Sequence, residues 1–129
     1  TVFIEAGFAL AGQVAAGPAD LATALEAGRA GLIRRGRCAV GDKTILDALD
    51  PAVRALRAGA EASRPLGTCV AAAATAAAGG MRATIPLVAR RGLALRLGER
   101  SRGHRDPGAT SCFLLLQAMA RAVGEEGDR

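Results

Sequence analysis

Apolar positions recur at helical spacing along almost the whole chain, and no stretch alternates with the two-residue period of a half-buried strand. From Val2 to Ala16, Phe3, Ala6, Leu10 and Val14 fall on one face and predict a first helix. Gly17-Pro18 breaks it. Pro18 suits the first turn of a second helix, where its missing N–H is no loss, and Asp20 stands where negative charge meets the positive end of the helix dipole. Leu21, Leu25, Leu32 and Ile33 supply the next apolar face. Arg34-Arg35 and then Gly36 predict its end, with cations in the last turn and glycine in the left-handed stop.

A short loop over 37–43 leads to a third helix from about Thr44, with Ile45, Leu46, Leu49, Val53 and Leu56 at helical spacing. Pro51 inside this pattern predicts a kink or a break just before it. A fourth helix is expected over roughly 68–90. Its Ala-rich stretch 71–78 allows close backbone approach; Gly79-Gly80 predicts a bend and Pro86 a further kink. Residues 91–106 are long for a connection inside a compact domain, and such loops are often functional. Asp106 then reads as the N-cap and Pro107 as the first position of a final helix, with Phe113, Leu116, Met119, Ala120 and Val123 on its apolar face and a frayed polar tail over 124–129. The fold class this pattern predicts is all-α: a bundle of about five helices, in a single domain over 1–129.

Composition narrows the function classes. Half of the 129 residues are hydrophobic and 22% are charged, so the chain can bury a core and is not a disordered tail. With three Phe and no Tyr or Trp, the stacking platforms of a single-strand nucleic-acid binder are absent. The net charge of +5 comes from 17 basic residues, of which only Lys43 is not arginine. A solvated Arg-rich surface accounts for this; the other reading is a phosphate-handling surface, which the forked guanidinium suits. Cys38, Cys69 and Cys112 are too widely spaced for a zinc site, and an odd number argues against a disulfide framework. They read as packed thiols in a reducing cytoplasm. No targeting segment or membrane span is expected. The start at Thr1, running straight into Val2-Phe3-Ile4, predicts that the N-terminal part of a larger domain precedes this chain.

The segment Gly98 to Ala109 carries the most chemistry. It joins glycines and several cations to a helix N-terminus, whose open N–H groups favour an anion. A phosphate near Gly108 and Ala109 and an ordinary capped surface loop both fit these residues. Gly41-Asp42-Lys43-Thr44 looks like the end of a P-loop, but the GxxxxGK[ST] order and a preceding strand are missing. A capped loop, with Asp42 or Thr44 covering the N–H groups of the next helix, is the plainer reading. His104 has no sequence-adjacent partner for a base, and Ser111 lies in no GxSxG context.

Taken together, Gly41 to Leu49 followed by Pro51-Ala52-Val53 resembles the GDKTMLDAL-x-PAV run of dihydroxyacetone kinase L domains. Leu97 to Ser101, Gly103-His104 and Asp106 to Ala109 resemble that family's LGERSxGHxDPGA loop. The resemblance implies an antiparallel helical barrel holding ATP or ADP at one end. That domain presents the phosphoryl donor to a K subunit or domain, which holds dihydroxyacetone on a histidine. The nucleotide is either ATP used directly or a bound nucleotide recharged by a phosphotransferase-system subunit. By position, Gly36, Ile45 (where the family often has Met), Asp106, Pro107 and Gly108 match nucleotide-contacting places, with Ile45 suited to cover a purine face and the long loop acting as a lid.

The family's acidic GDxDHG-type motif, which holds magnesium, is absent, as is its GxSGP-type turn, so Mg²⁺ is expected only in the complete domain. The family's GRASYLGERS here reads Gly92 to Ser101, with Leu93 in place of a nucleotide-contacting arginine and Arg96 as the nearest compensating cation. The expected role is the nucleotide-binding part of a glycerone kinase of glycerol or ketose catabolism. That kinase is cytoplasmic and acts on dihydroxyacetone or a similar short ketose, with no nucleic-acid or membrane partner. Homodimerisation is compatible with this reading. The alternative is a degenerate, non-catalytic binding or regulatory module of the same fold; a fatty-acid kinase-type domain fits these motifs less well.

Overall fold

The computed structural model describes residues 17–91 and 93–127; the helix expected over Val2 to Ala16 lies outside them. Four α-helices follow in order: α1 (Pro18–Gly36), α2 (Leu46–Glu61), α3 (Leu66–Ala83) and α4 (Pro107–Gly127). A 3-10 segment over Leu93–Ser101 lies between the last two and is interrupted at Gly98, whose backbone is non-helical. No strand occurs among the described residues, so the protein is all-α as its apolar periodicity predicts.

Helix boundaries follow local chemistry, with shifts from the sequence expectation. At the start of α1 the Gly17 N–H donates to Asp20 Oδ2 at 3.0 Å and Pro18 takes the first position. At its end the left-handed residue is Arg37 (φ 49°) and not Gly36. Gly36 completes the last helical turn, and the Arg37 N–H reaches back to the Ile33 carbonyl at 2.8 Å, which places the stop one residue later. Ile33, expected on the buried face, is 43% exposed.

Helix α2 passes through Pro51 without ending. Proline has no N–H to give the carbonyl four residues back, that of Asp47. Gly80 of α3 packs on that carbonyl instead: a Cβ at Gly80 would overlap the Asp47 oxygen and lie 3.0 Å from the Ala48 Cα. Gly80 is therefore a contact point between two backbones, and α3 runs unbroken through Gly79-Gly80.

Helix α3 stops at Ala83, short of the expected residue 90. Pro86 cannot donate to the Arg82 carbonyl, and the chain tightens into i→i−3 bonds from Thr84 to Met81 and from Ile85 to Arg82, both at 3.1 Å. Helix α4 begins at Pro107 as expected and includes residues 124–127, which the sequence suggested would fray.

Neighbouring helices run antiparallel. Arg29 of α1 pairs with Asp50 of α2 at 3.1 Å, and Arg57 late in α2 pairs with Glu26 early in α1 at 2.6 Å. Gly80 meets Asp47 at one end of the α2–α3 pair, and Gly59 meets Cys69 at the other. Gly67 early in α3 lies against Val123 late in α4. The core combines Leu25, Leu49, Val53, Leu56, Val70 and Leu116 with many alanines. Ala73, Ala74, Ala77 and Ala78 are buried, as the Ala-rich stretch predicts for close helix approach. All three cysteines are buried and free. Among the described residues no helix is long and apolar enough to cross a membrane.

Candidate functional site

The antiparallel order gathers four helix ends at one end of the bundle: the C-terminus of α1, the N-terminus of α2, the C-terminus of α3 and the N-terminus of α4. The turn before α2 is built around Asp47. Its Oδ1 accepts the Gly41 N–H at 2.7 Å and its Oδ2 the Thr44 N–H at 2.8 Å, while the residue itself is 5% exposed. Thr44 Oγ1 accepts the Leu46 N–H at 3.1 Å, as expected of a residue covering the helix start. Asp42 does not share that duty; its carboxylate accepts the Ala39 N–H at 2.9 Å. The turn carries two left-handed residues, Gly41 (φ 102°) and Lys43 (φ 64°). For the non-glycine Lys43 that backbone costs on the order of 1 kcal/mol, which the surrounding bonds offset.

Lys43 is 2% exposed. Its Nζ donates to the carbonyls of Leu87 at 3.1 Å, Ser101 and His104. Burial pulls this ammonium below the ordinary lysine pKa; the nearby Asp106 charge pushes it up and the Arg102 charge down. Three carbonyl acceptors need three N–H donors, so the geometry fits the charged form. The loop it grips is fastened elsewhere as well. Buried Ser101 donates its Oγ to the Gly98 carbonyl at 2.7 Å and accepts the Ala89 N–H at 2.9 Å. The Gly103 N–H donates to the Ile85 carbonyl at 2.7 Å, and Arg102 pairs with Glu99 at 3.1 Å and donates to the Pro86 carbonyl at 3.0 Å.

Asp106 caps α4. Its Oδ2 accepts the Ala109 N–H at 2.9 Å, its own N–H donates to Thr84 Oγ1 at 3.0 Å, and it is 5% exposed. Burial raises its pKa above the ordinary carboxylate range. The Asp47 charge adds to the rise, while N–H groups of Ala109 and Gly108 and the Lys43 charge oppose it. Of the two readings open for these residues, the structure displays the capped helix start: the Asp106 carboxylate engages the N–H groups of Ala109 and Gly108.

The structure joins the two motifs. A Cβ at Gly108 would lie 3.3 Å from the Ile45 backbone nitrogen, 3.4 Å from the Ile45 Cβ and 3.2 Å from Asp106 Oδ2. Ile45 and Gly108 are half-buried, and Pro107 is exposed beside them. Gly36 stands at the same end of the bundle, exposed on the last turn of α1, where a Cβ would lie 3.5 Å from Cys38 Sγ. Ile45, Asp106 and Gly108 thus form one contact, while Gly36 shares their end without joining it. Lys43 and Asp47, which hold the end together, carry no role in the sequence reading. The available signal was that Lys43 is the one lysine among arginines.

Other candidates recede. Cys112 is fully buried and its thiol is pushed up to about 11, which keeps it protonated and inert at neutral pH. His104 contributes its carbonyl to Lys43 while the residue stays exposed. Among the described residues no three His, Cys, Asp or Glu form a group able to hold a metal ion. Asp47 has both oxygens on backbone N–H groups and Asp106 gives Oδ2 to Ala109, so these carboxylates do not fit a magnesium site, which needs clustered free oxygens.

Residues 1–121 match the family described as the DAK2 domain. The ADP-binding subunit DhaL of the PEP-dependent dihydroxyacetone kinase of Escherichia coli (strain K12) is 38% identical, over 97% of this chain and 60% of its own length. The corresponding ADP-binding subunit DhaL of PEP-dependent dihydroxyacetone kinase 2 of Listeria innocua is 36% identical, over 91% of this chain and 54% of its own. The L-erythrulose 1-kinase of Mycolicibacterium smegmatis is 38% identical over 74% of this chain, which is 16% of that protein. The chain therefore spans little more than half the length of the first two relatives.

Proposed function

This chain belongs to the DAK2 domain family, and on that premise we propose that its site end is part of the nucleotide pocket of a kinase for dihydroxyacetone or a related short ketose. ADP or ATP lies across Ile45 and the start of α4, with Gly36 on the rim. Ile45 covers a face of the base. Gly108 lets the start of α4 close on the Ile45 turn. Asp106, with its Oδ2 engaged by backbone N–H groups, offers its other oxygen to an N–H or O–H donor of the nucleotide and not to a phosphate. The domain presents the phosphoryl group to a K subunit or domain that holds the ketose. A phosphotransferase-system partner recharges the bound nucleotide, or ATP exchanges with it.

The contact of Gly108 with Ile45 is the observation that carries this reading, because it brings together residues of two motifs that are 63 positions apart in the sequence. Magnesium, which phosphoryl transfer uses to neutralise charge between phosphates, finds no ligand set among the described residues, so no residue named here is assigned to it.

The test uses the full gene product with its K partner. Calorimetry should show ADP binding, and dihydroxyacetone should be phosphorylated from ATP or from the phosphotransferase donor. Gly108→Val should weaken ADP binding by about tenfold or more with helix content unchanged, since its side chain would press on the Ile45 backbone and the Asp106 carboxylate and push the start of α4 away from Ile45. A second reading, a non-catalytic module of the same fold, is favoured by the engagement of Asp47 and Asp106 with their own backbone. A folded complex that neither binds ADP nor phosphorylates any short ketose establishes it over the first.

A further inference from the structure

The single lysine of the chain is buried where two loop segments and the turn before α2 converge. Its three acceptors come from separate places: Leu87 follows α3, while Ser101 and His104 belong to the loop that delivers Asp106. Lys43 is two residues from Ile45, and His104 is two residues from Asp106. One ammonium therefore links the two halves of the Ile45–Gly108 contact from behind. A tetrahedral ammonium directs three N–H bonds along diverging lines, whereas the planar guanidinium fork is built for parallel acceptors. That difference gives a physical reason for lysine at this one position in a chain that otherwise uses arginine.

We propose that Lys43 is a positioning residue for nucleotide binding: its ammonium fixes the Ser101–His104 loop to the turn before α2 and so sets the spacing across which Ile45 and the Asp106–Gly108 helix start hold the nucleotide. It acts through these carbonyls and not on the nucleotide. The inference rests on the nucleotide reading above.

The experiment compares the full-length protein with Lys43→Met, Lys43→Arg and the core variant Leu56→Ala, which lowers stability without touching the loop. Amide hydrogen exchange is followed at Gly103 and Ala89, and ADP affinity by calorimetry. In Lys43→Met and Lys43→Arg, exchange at both amides should quicken by about tenfold or more, beyond any change in Leu56→Ala at matched global stability, with ADP affinity falling by a similar factor. Unchanged loop exchange in Lys43→Met overturns the proposal, as does full ADP affinity with a loosened loop. Restoration by Lys43→Arg also overturns it, since charge alone would then suffice. Should the wild-type protein bind no ADP, the nucleotide reading fails, and with it the role assigned to Lys43, whereas the exchange data still report whether the clamp itself exists.

Discussion

Asp106 carries an unfavourable charge within its own fold. Its raised pKa means that the folded chain binds this proton more tightly than the unfolded chain does. The cost is present wherever the carboxylate is ionised in the fold and is relieved as pH falls through the raised value toward the ordinary carboxylate range. Lys43 has the opposite sense: its lowered pKa costs stability at neutral pH, and that cost is relieved as pH rises through its folded value. Asp106→Asn keeps a side-chain oxygen for the cap and removes the charge. Its urea midpoint is expected to exceed the parent's at pH 7 and to converge on it as pH is lowered toward the ordinary aspartate value of about 4. A lower midpoint at pH 7 would show that attraction to Lys43 outweighs desolvation. The cap was legible in the sequence because Asp-Pro-Gly is a local pattern. The role of Lys43 was hidden because its acceptors lie 44 to 61 residues away along the chain.

Helices α2 and α3 meet at glycines, and the two members of the Gly79-Gly80 pair differ sharply. Gly79 has open space where a Cβ would go, whereas at Gly80 the same atom would strike the Asp47 carbonyl. Gly79→Ala is expected to raise stability by up to about 1 kcal/mol through helix propensity. Gly80→Ala is expected to lower it by about 1–3 kcal/mol, because overlap with backbone outweighs that gain. Thermal melts of the two variants check the contrast, and equal effects would refute the close approach. The same contact explains why two prolines in helical patterns behave differently. Pro51 leaves a carbonyl bare that a neighbouring glycine covers, and α2 continues. At Pro86 the carbonyl left bare, that of Arg82, takes the Ile85 N–H in a tighter turn, and α3 ends. Periodicity revealed both helices; only the neighbouring helix decides which proline is absorbed.

Across the whole molecule, the antiparallel order separates the two ends by the length of α2, about 24 Å at 1.5 Å per residue. The far end has its own tight contact, where a Cβ at Gly59 would lie 2.7 Å from Cys69 Sγ. Gly59→Ala is therefore expected to lower stability while leaving the pH response of Asp106 untouched. Its effect should add to that of Asp106→Asn within about 0.5 kcal/mol, as urea unfolding of the double variant would measure. That the described chain is helical was readable from apolar spacing alone, because each helix buries one face; the antiparallel arrangement was expected only from the resemblance. The meeting of Ile45 with Gly108 is a property of the assembled bundle, and it entered the sequence reading only through resemblance. Asp47 has a consequence at this scale. Its side chain closes the turn that leads to Ile45, while its carbonyl bears directly on Gly80. A single residue thus serves as the bearing between scaffold and loop, so a bulkier residue at position 80 would tilt the turn that carries Ile45 as well as spread the helices.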